Sequence, residues 1–192
     1  MSEYYPGYIF RDGDDYPEIA AWCNANGCYI KEITPDGDGR RFEIVEIPQK
    51  SLDEAKADKI AELTAAKNHQ LDTGGLEYEE DLFAYDDKAL LRISGTILDW
   101  QDQISRGIVQ PEDIVQPWIS KANNVHALSY DQLIELARLL RQEVQRIVFY
   151  GTYLEKLAQA ATSLAELDEI VWDYGAASAA GIIDRLIAEG AV

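Results

Sequence analysis

A chain of 192 residues can bury a core without disulfide or metal staples, and 47 % apolar with 27 % charged residues is the composition of a folded protein, not a disordered one. Lysine plus arginine number 17 against 35 aspartate plus glutamate, a formal net charge of −18. Such a surface repels phosphate backbones and anionic lipid, which argues against nucleic acid and membrane as partners. The charge keeps the chain in solution and, in its sharper reading, steers it toward a basic protein.

Residues 1–48 are punctuated by turn signals at Pro6-Gly7, Asp12-Gly13-Asp14-Asp15 and Pro35-Asp36-Gly37-Asp38-Gly39. Between them, Tyr8–Phe10 reads as a strand, and Tyr16–Asn26 as a helix with Ile19, Ala20, Trp22 and Cys23 at helical spacing, closed by Asn26-Gly27. Tyr29–Thr34 and Phe42–Ile47 alternate like a hairpin around the Asp-Gly turn. The expected order is βαββ. Tyr4, Tyr5, Tyr8 and Tyr16 either cover the core of this small unit or form a contact surface.

Pro48 ends the unit, and Ser51 with Glu54 forms a capping box for a connecting helix that runs to about Leu71. Its apolar row, Leu52, Ala55, Ile60 and Leu63, is thin, so residues 49–75 are read as a connector. Asp72-Thr73-Gly74-Gly75 stops it, and a small hairpin is expected from Leu76-Glu77-Tyr78 and Leu82–Tyr85. Residues 76–192 are then a mainly helical bundle domain, which makes the chain an α+β protein. Asp86 or Asp87 caps a helix bearing Leu90, Ile93, Ile97, Trp100 and Ile104. Ile108–Leu128, with Pro111 and Pro117, reads as a long connection.

Ser129 and Gln132 form a second capping box, which opens the clearest pattern in the chain. Leu133, Ala137, Leu140, Val144, Ile147, Gly151 and Leu154, continued by Ala158 and Ala161, alternate spacings of four and three. This is a heptad seam on one long helix. It has two uses: packing against the chain's own helices, or self-association, where Gly151, Ala158 and Ala161 would admit a partner helix closely. Ser163 with Glu166 caps a short helix bearing Leu164, Leu167, Ile170 and Val171, and Ser178 is expected to open a last one with Ile182, Ile183, Leu186 and Ile187.

Chemistry is harder to find. Only His69 and His126 supply an imidazole, the first in a polar helix and the second in a loop where bonding to backbone is expected. Cys23 and Cys28 lack the second ligand pair of a zinc site, and free thiols are expected. The Asp12/Asp14/Asp15 and Asp36/Asp38 clusters do not complete a calcium loop, since Ile47 stands where a bidentate glutamate is needed, and turn chemistry accounts for them. No glycine-rich phosphate loop and no Gly-x-Ser-x-Gly occurs. No catalytic, cofactor or metal residue is assigned. There is no run of about 18 apolar residues, and Met-Ser-Glu-Tyr-Tyr-Pro lacks the regions of a signal peptide.

From about Lys56 to Val171 the chain resembles a phage and prophage domain family of unknown function, DUF4376, often encoded near tail-fibre genes. The resemblance is carried by Asn68-His69-Gln70-Leu71-Asp72-Thr73-Gly74, Phe83-Ala84-Tyr85-Asp86-Asp87 and Leu91-Arg92-Ile93. It continues in Trp118-Ile119, in Asn123-Asn124-Val125-His126-Ala127-Leu128-Ser129 and in Ala160-Ala161-Thr162-Ser163-Leu164-Ala165-Glu166-Leu167. The chain departs from the family in a longer insert between Ile104 and Trp118, and residues 1–48 are not matched. The family has no established active site to carry over.

The resemblance implies a tail-associated role, as a tail component or a helper of fibre assembly; with the absent catalytic motifs, the expectation is a non-enzymatic protein whose βαββ unit docks on a partner, made in a bacterial cytoplasm and, as a component, carried in the virion tail. Its partner would be a tail or tail-fibre protein, or a second copy of itself through the seam. An acidic module that inhibits a host protein is the rival expectation, and a hydrolase resting on abundant carboxylates the weakest.

Overall fold

The computed structural model describes residues 4–11, 13–35, 39–48 and 50–191. Met1–Glu3, Asp12 and Asp36–Asp38 lie outside them, so the start of the chain and parts of both acidic turn clusters are not described. The chain forms two compact units, Met1–Ser51 and Leu52–Val192. The fold is α+β.

The first unit has the order β1 (Ile9–Arg11), α1 (Tyr16–Ala25), β2 (Cys28–Ile33) and β3 (Arg41–Glu46). β3 is the central strand of an antiparallel sheet ordered β1-β3-β2, with Phe10 opposite Phe42 and Ile30 opposite Ile44. Period-2 alternation puts Phe10, Cys28, Phe42 and Ile44 on one face, where Ile19 and Cys23 of α1 cover them. Pro17 stands in the first turn of α1, where its missing N–H costs nothing, and Gly27 at φ +65 turns the chain into β2. Tyr4 and Tyr8 pack against this core, whereas Tyr5 is exposed. Both cysteines are free and buried, and burial, with Cys28 beside it, pushes the Cys23 thiol up.

The second unit begins with α2 (Leu52–Thr73), followed by a hairpin of β4 (Leu76–Tyr78) and β5 (Asp81–Phe83), then α3 (Asp87–Ser105). Asp86 caps α3, its Oδ1 accepting from the Ala89 N–H at 2.9 Å. The turn between β4 and β5 is Glu79-Glu80, both at positive φ (48° and 64°), a turn that glycine or asparagine would make with less strain.

Residues 108–128 are not the long connection that the two prolines suggest. After a 3-10 turn at Pro111–Asp113 the chain forms β6 (Val115–Ile119) and β7 (Val125–Ser129), an antiparallel ribbon with Pro117 opposite Ala127. Two features hide it in the sequence. Proline is rare inside strands, and the outward-facing positions are as apolar as the inward ones, so no alternation shows.

α4 (Tyr130–Ala160) follows at once, closed by the full Ser129–Gln132 capping box, and at about 1.5 Å per residue is about 46 Å long. It is the axis of the core. Leu63 of α2, Phe83, Tyr85, Ile93 of α3, Trp118 and Leu128 all pack into the cluster that Leu133, Leu136, Leu140 and Ile147 run through. The tail is α5 (Leu164–Asp168), α6 (Tyr174–Ala179) and α7 (Ile182–Glu189). Here two expectations are corrected. Ile170 and Val171 lie beyond α5, and Ser178 lies inside α6, which Asp173 caps through the Ala176 N–H; Gly181 at φ +65 separates α6 from α7. Among the described residues no helix is long and apolar enough to cross a membrane.

Candidate interaction surface

The heptad seam of α4 is the contact surface that the sequence marks most clearly. Leu133, Leu140 and Ile147 are fully buried, Ala137, Gly151 and Leu154 are buried, and Val144 is half-buried against the same cluster. Of its two uses, the structure has the intramolecular one. Ala158 and Ala161 are buried as well.

Gly151 shows why. A Cβ there would sit 2.5 Å from Lys67 Cδ, so the small residue admits a side chain of α2. Lys67 crosses that gap and its Nζ reaches Glu155 Oε1 at 2.8 Å, where the Thr64 hydroxyl also donates at 2.9 Å. These two donors hold the Glu155 carboxyl below its ordinary range although burial opposes them.

His69 is exposed on α2. His126 is more informative, and its partner is not the backbone. Its Nε2 lies 2.8 Å from Asp81 Oδ2, which also accepts from Asn124 Nδ2 at 2.9 Å. The Asn124 amide, then His126 and Ser120, hold the Asp81 carboxyl well below the usual carboxylate range. The His126 ring meets Phe83 edge-on, 5.0 Å between centroids. Asp, His and Ser are thus brought together, but His126 is held by the Asp81 carboxylate, whereas the Ser120 hydroxyl is engaged by the Asn124 backbone. Ser120 is buried and its Oγ accepts from the Asn124 N–H.

What this cluster does is join two hairpins. Lys121 adds to it: its N–H donates to Leu82 O at 2.8 Å, and its ammonium reaches the carbonyls of Gly74 (2.9 Å) and Thr73. On the other side Trp100 Nε1 donates to Gln116 at 3.2 Å, and the Arg92 guanidinium lies over the Trp118 ring. One face of the β6–β7 ribbon, carrying Gln116, Trp118, His126 and Leu128, is thereby fixed to the core.

The opposite face is bare. It carries Val115, Pro117 and Ile119 of β6 and Val125 and Ala127 of β7, with Ser129 the one polar member. Val115 is 63 % exposed, Ile119 55 % and Val125 68 %. Single exposed apolar residues are ordinary, but an apolar face of paired positions on a ribbon locked from behind is a preformed contact surface. Sequence reasoning missed it because the ribbon itself was missed. Among the described residues no group of three or more His, Cys, Asp or Glu could hold a metal ion.

The chain is therefore an α+β protein with a rigid, apolar ribbon face displayed on a helical domain. Residues 54–176, more than half of the chain, match the family described as a domain of unknown function, DUF4376, and the chain belongs to that family. Neither a curated protein nor a solved structure matches it.

Proposed function

We propose that this is a non-enzymatic phage or prophage tail-associated protein, a structural component or a helper of tail-fibre assembly, that works by holding another protein against the outer face of the β6–β7 ribbon. The observation that carries the reading is that face: Val115, Pro117, Ile119, Val125 and Ala127 lie bare on strands whose other side is pinned to the core. Burying such a face stabilises a complex by roughly 25 cal/mol per Å² before the cost of association. The tail setting comes from the resemblance described above, and it supplies the class of partner. The Asp81 cluster supports a non-enzymatic reading, since its histidine is held by the Asp81 carboxylate and its buried serine by the Asn124 N–H, and among the described residues no hydrogen bond joins the two.

The test is co-purification from cells that carry the phage or prophage. Tagged wild type and a Val115→Thr/Ile119→Thr/Val125→Thr variant are compared by mass spectrometry of the tail and tail-fibre proteins retained, and finished particles and assembly intermediates are probed for the chain. The wild type is expected to retain a tail protein that the variant loses. The reading fails if no tail protein is retained and the chain is absent from particles and intermediates alike.

A further inference from the structure

The ribbon face has ends of different character. Val115 lies opposite Ser129, so Glu112 and Asp113, just before β6, and Asp131, just after β7, stand at the same end of the ribbon. All three are exposed, and among the described residues none enters an ion pair or a side-chain hydrogen bond. At the opposite end Lys121 is committed to the carbonyls of Thr73 and Gly74, and the Arg92 guanidinium lies over the Trp118 ring on the inner face. The acid at that end, Asp81, is bonded to Asn124 and His126, so among the described residues the apolar strip has a rim of unpaired acids at the Val115–Ser129 end.

That asymmetry selects among occupants. A second copy docked face to face would bring a second charge of −18 to the first and, with its ribbon running the same way, a second acidic rim to the first. Like charges set together at an interface oppose association. A neutral apolar segment would leave three carboxylates desolvated at its edge without partners. A segment with lysine or arginine at one flank would meet both features at once.

Resting on the docking role proposed above, we infer that the occupant of the ribbon face is an apolar segment of another protein with basic residues at one flank, which lie against Glu112, Asp113 and Asp131. The strip supplies contact area, and the rim sets orientation and rejects a second copy. The rim also speeds encounter with a basic partner in a way that salt screens.

Two synthetic peptides test this on the full chain by NMR. Each alternates valine and threonine over the length of one strand; one begins with two lysines, and its twin with two glutamates. The expected result is a set of amide shifts confined to residues 115–119 and 125–129, with the lysine peptide binding about tenfold more tightly at low salt. Neutralising the rim (Glu112→Gln/Asp113→Asn/Asp131→Asn) brings the two affinities together while the shifts remain. Equal binding of both peptides to the wild type overturns the basic partner but leaves the docking face standing. If neither peptide moves the ribbon, both inferences fall. Ribbon shifts that grow with protein concentration alone overturn the partner in favour of a second copy.

Discussion

The carboxylate of Asp81 accepts from His126 Nε2 at 2.8 Å across a sequence separation of 45 residues, and with that bond β5 holds β7. Because Asn124 Nδ2 donates to the same carboxylate at 2.9 Å, the anion is a hub whose loss releases two side chains together. The ribbon's orientation depends on it, and through the ribbon so does the apolar face.

Asp81→Asn is therefore expected to lower the urea midpoint and to broaden the NMR signals of residues 115–129. The acid dependence has a definite sign. The folded-state value of Asp81 lies below its ordinary value of about 3.9, so its contribution is fully present above that pH and fades as pH falls through the folded-state value. Urea midpoints of wild type and variant measured from pH 7 downward should thus converge only below about pH 4. A gap that closes at neutral pH would assign the coupling to another group.

The turn between β4 and β5 is strained where it need not be. Glu80 is exposed and holds φ at 64°, a region that costs a residue with a Cβ about 1–2 kcal/mol. Glu80→Gly removes that strain and gives back part of it as unfolded-chain entropy, so a net gain of roughly 0.5–1 kcal/mol is expected. Glu79 is a poorer choice, since its Oε1 accepts from Gln132 Nε2 at 2.7 Å and braces the start of α4. Equilibrium unfolding in urea decides the matter.

Gly151 tests how the seam is used. Gly151→Leu places a side chain where the Lys67 stem lies, and overpacking of this kind costs about 1–3 kcal/mol. Light scattering should return the same solution mass for wild type and variant, because the contact destroyed lies within one chain. A change in oligomeric state with unaltered stability would return the seam to self-association.

How much of this was legible beforehand follows from where side-chain periodicity is clean. α1, α4 and the hairpin of β2 and β3 show in the sequence because their apolar residues recur on one face and their ends carry Ser129-x-x-Gln132 or Asn26-Gly27. The connector reading of α2 was drawn from its thin apolar row, yet Leu63 is fully buried and Lys67 and Thr64 tie it to α4 through Glu155. A helix can thus dock by few apolar residues when polar side chains supplement them. The β6–β7 ribbon escaped because Pro117 argues against a strand and because Val115, Ile119 and Val125 face outward. The Asp81–His126 pair escaped because nothing local marks two residues so far apart in the chain as neighbours.

The two faces of the ribbon give the sharpest contrast. Val125 is 68 % exposed, whereas Leu128, three residues later in the same strand, is fully buried in the core of the second unit. Val115→Thr/Ile119→Thr/Val125→Thr keeps β-branched residues on the strands and removes only outward methyl groups, so its stability should stay within about 0.5 kcal/mol of wild type. Leu128→Ala removes buried methyl groups and should cost about 2–5 kcal/mol. Thermal unfolding separates the two, and binding of a hydrophobic dye to the folded protein at neutral pH should fall only in the triple variant. If the triple variant were as destabilised as Leu128→Ala, the outer face would be part of the fold and no longer a surface held ready for another protein.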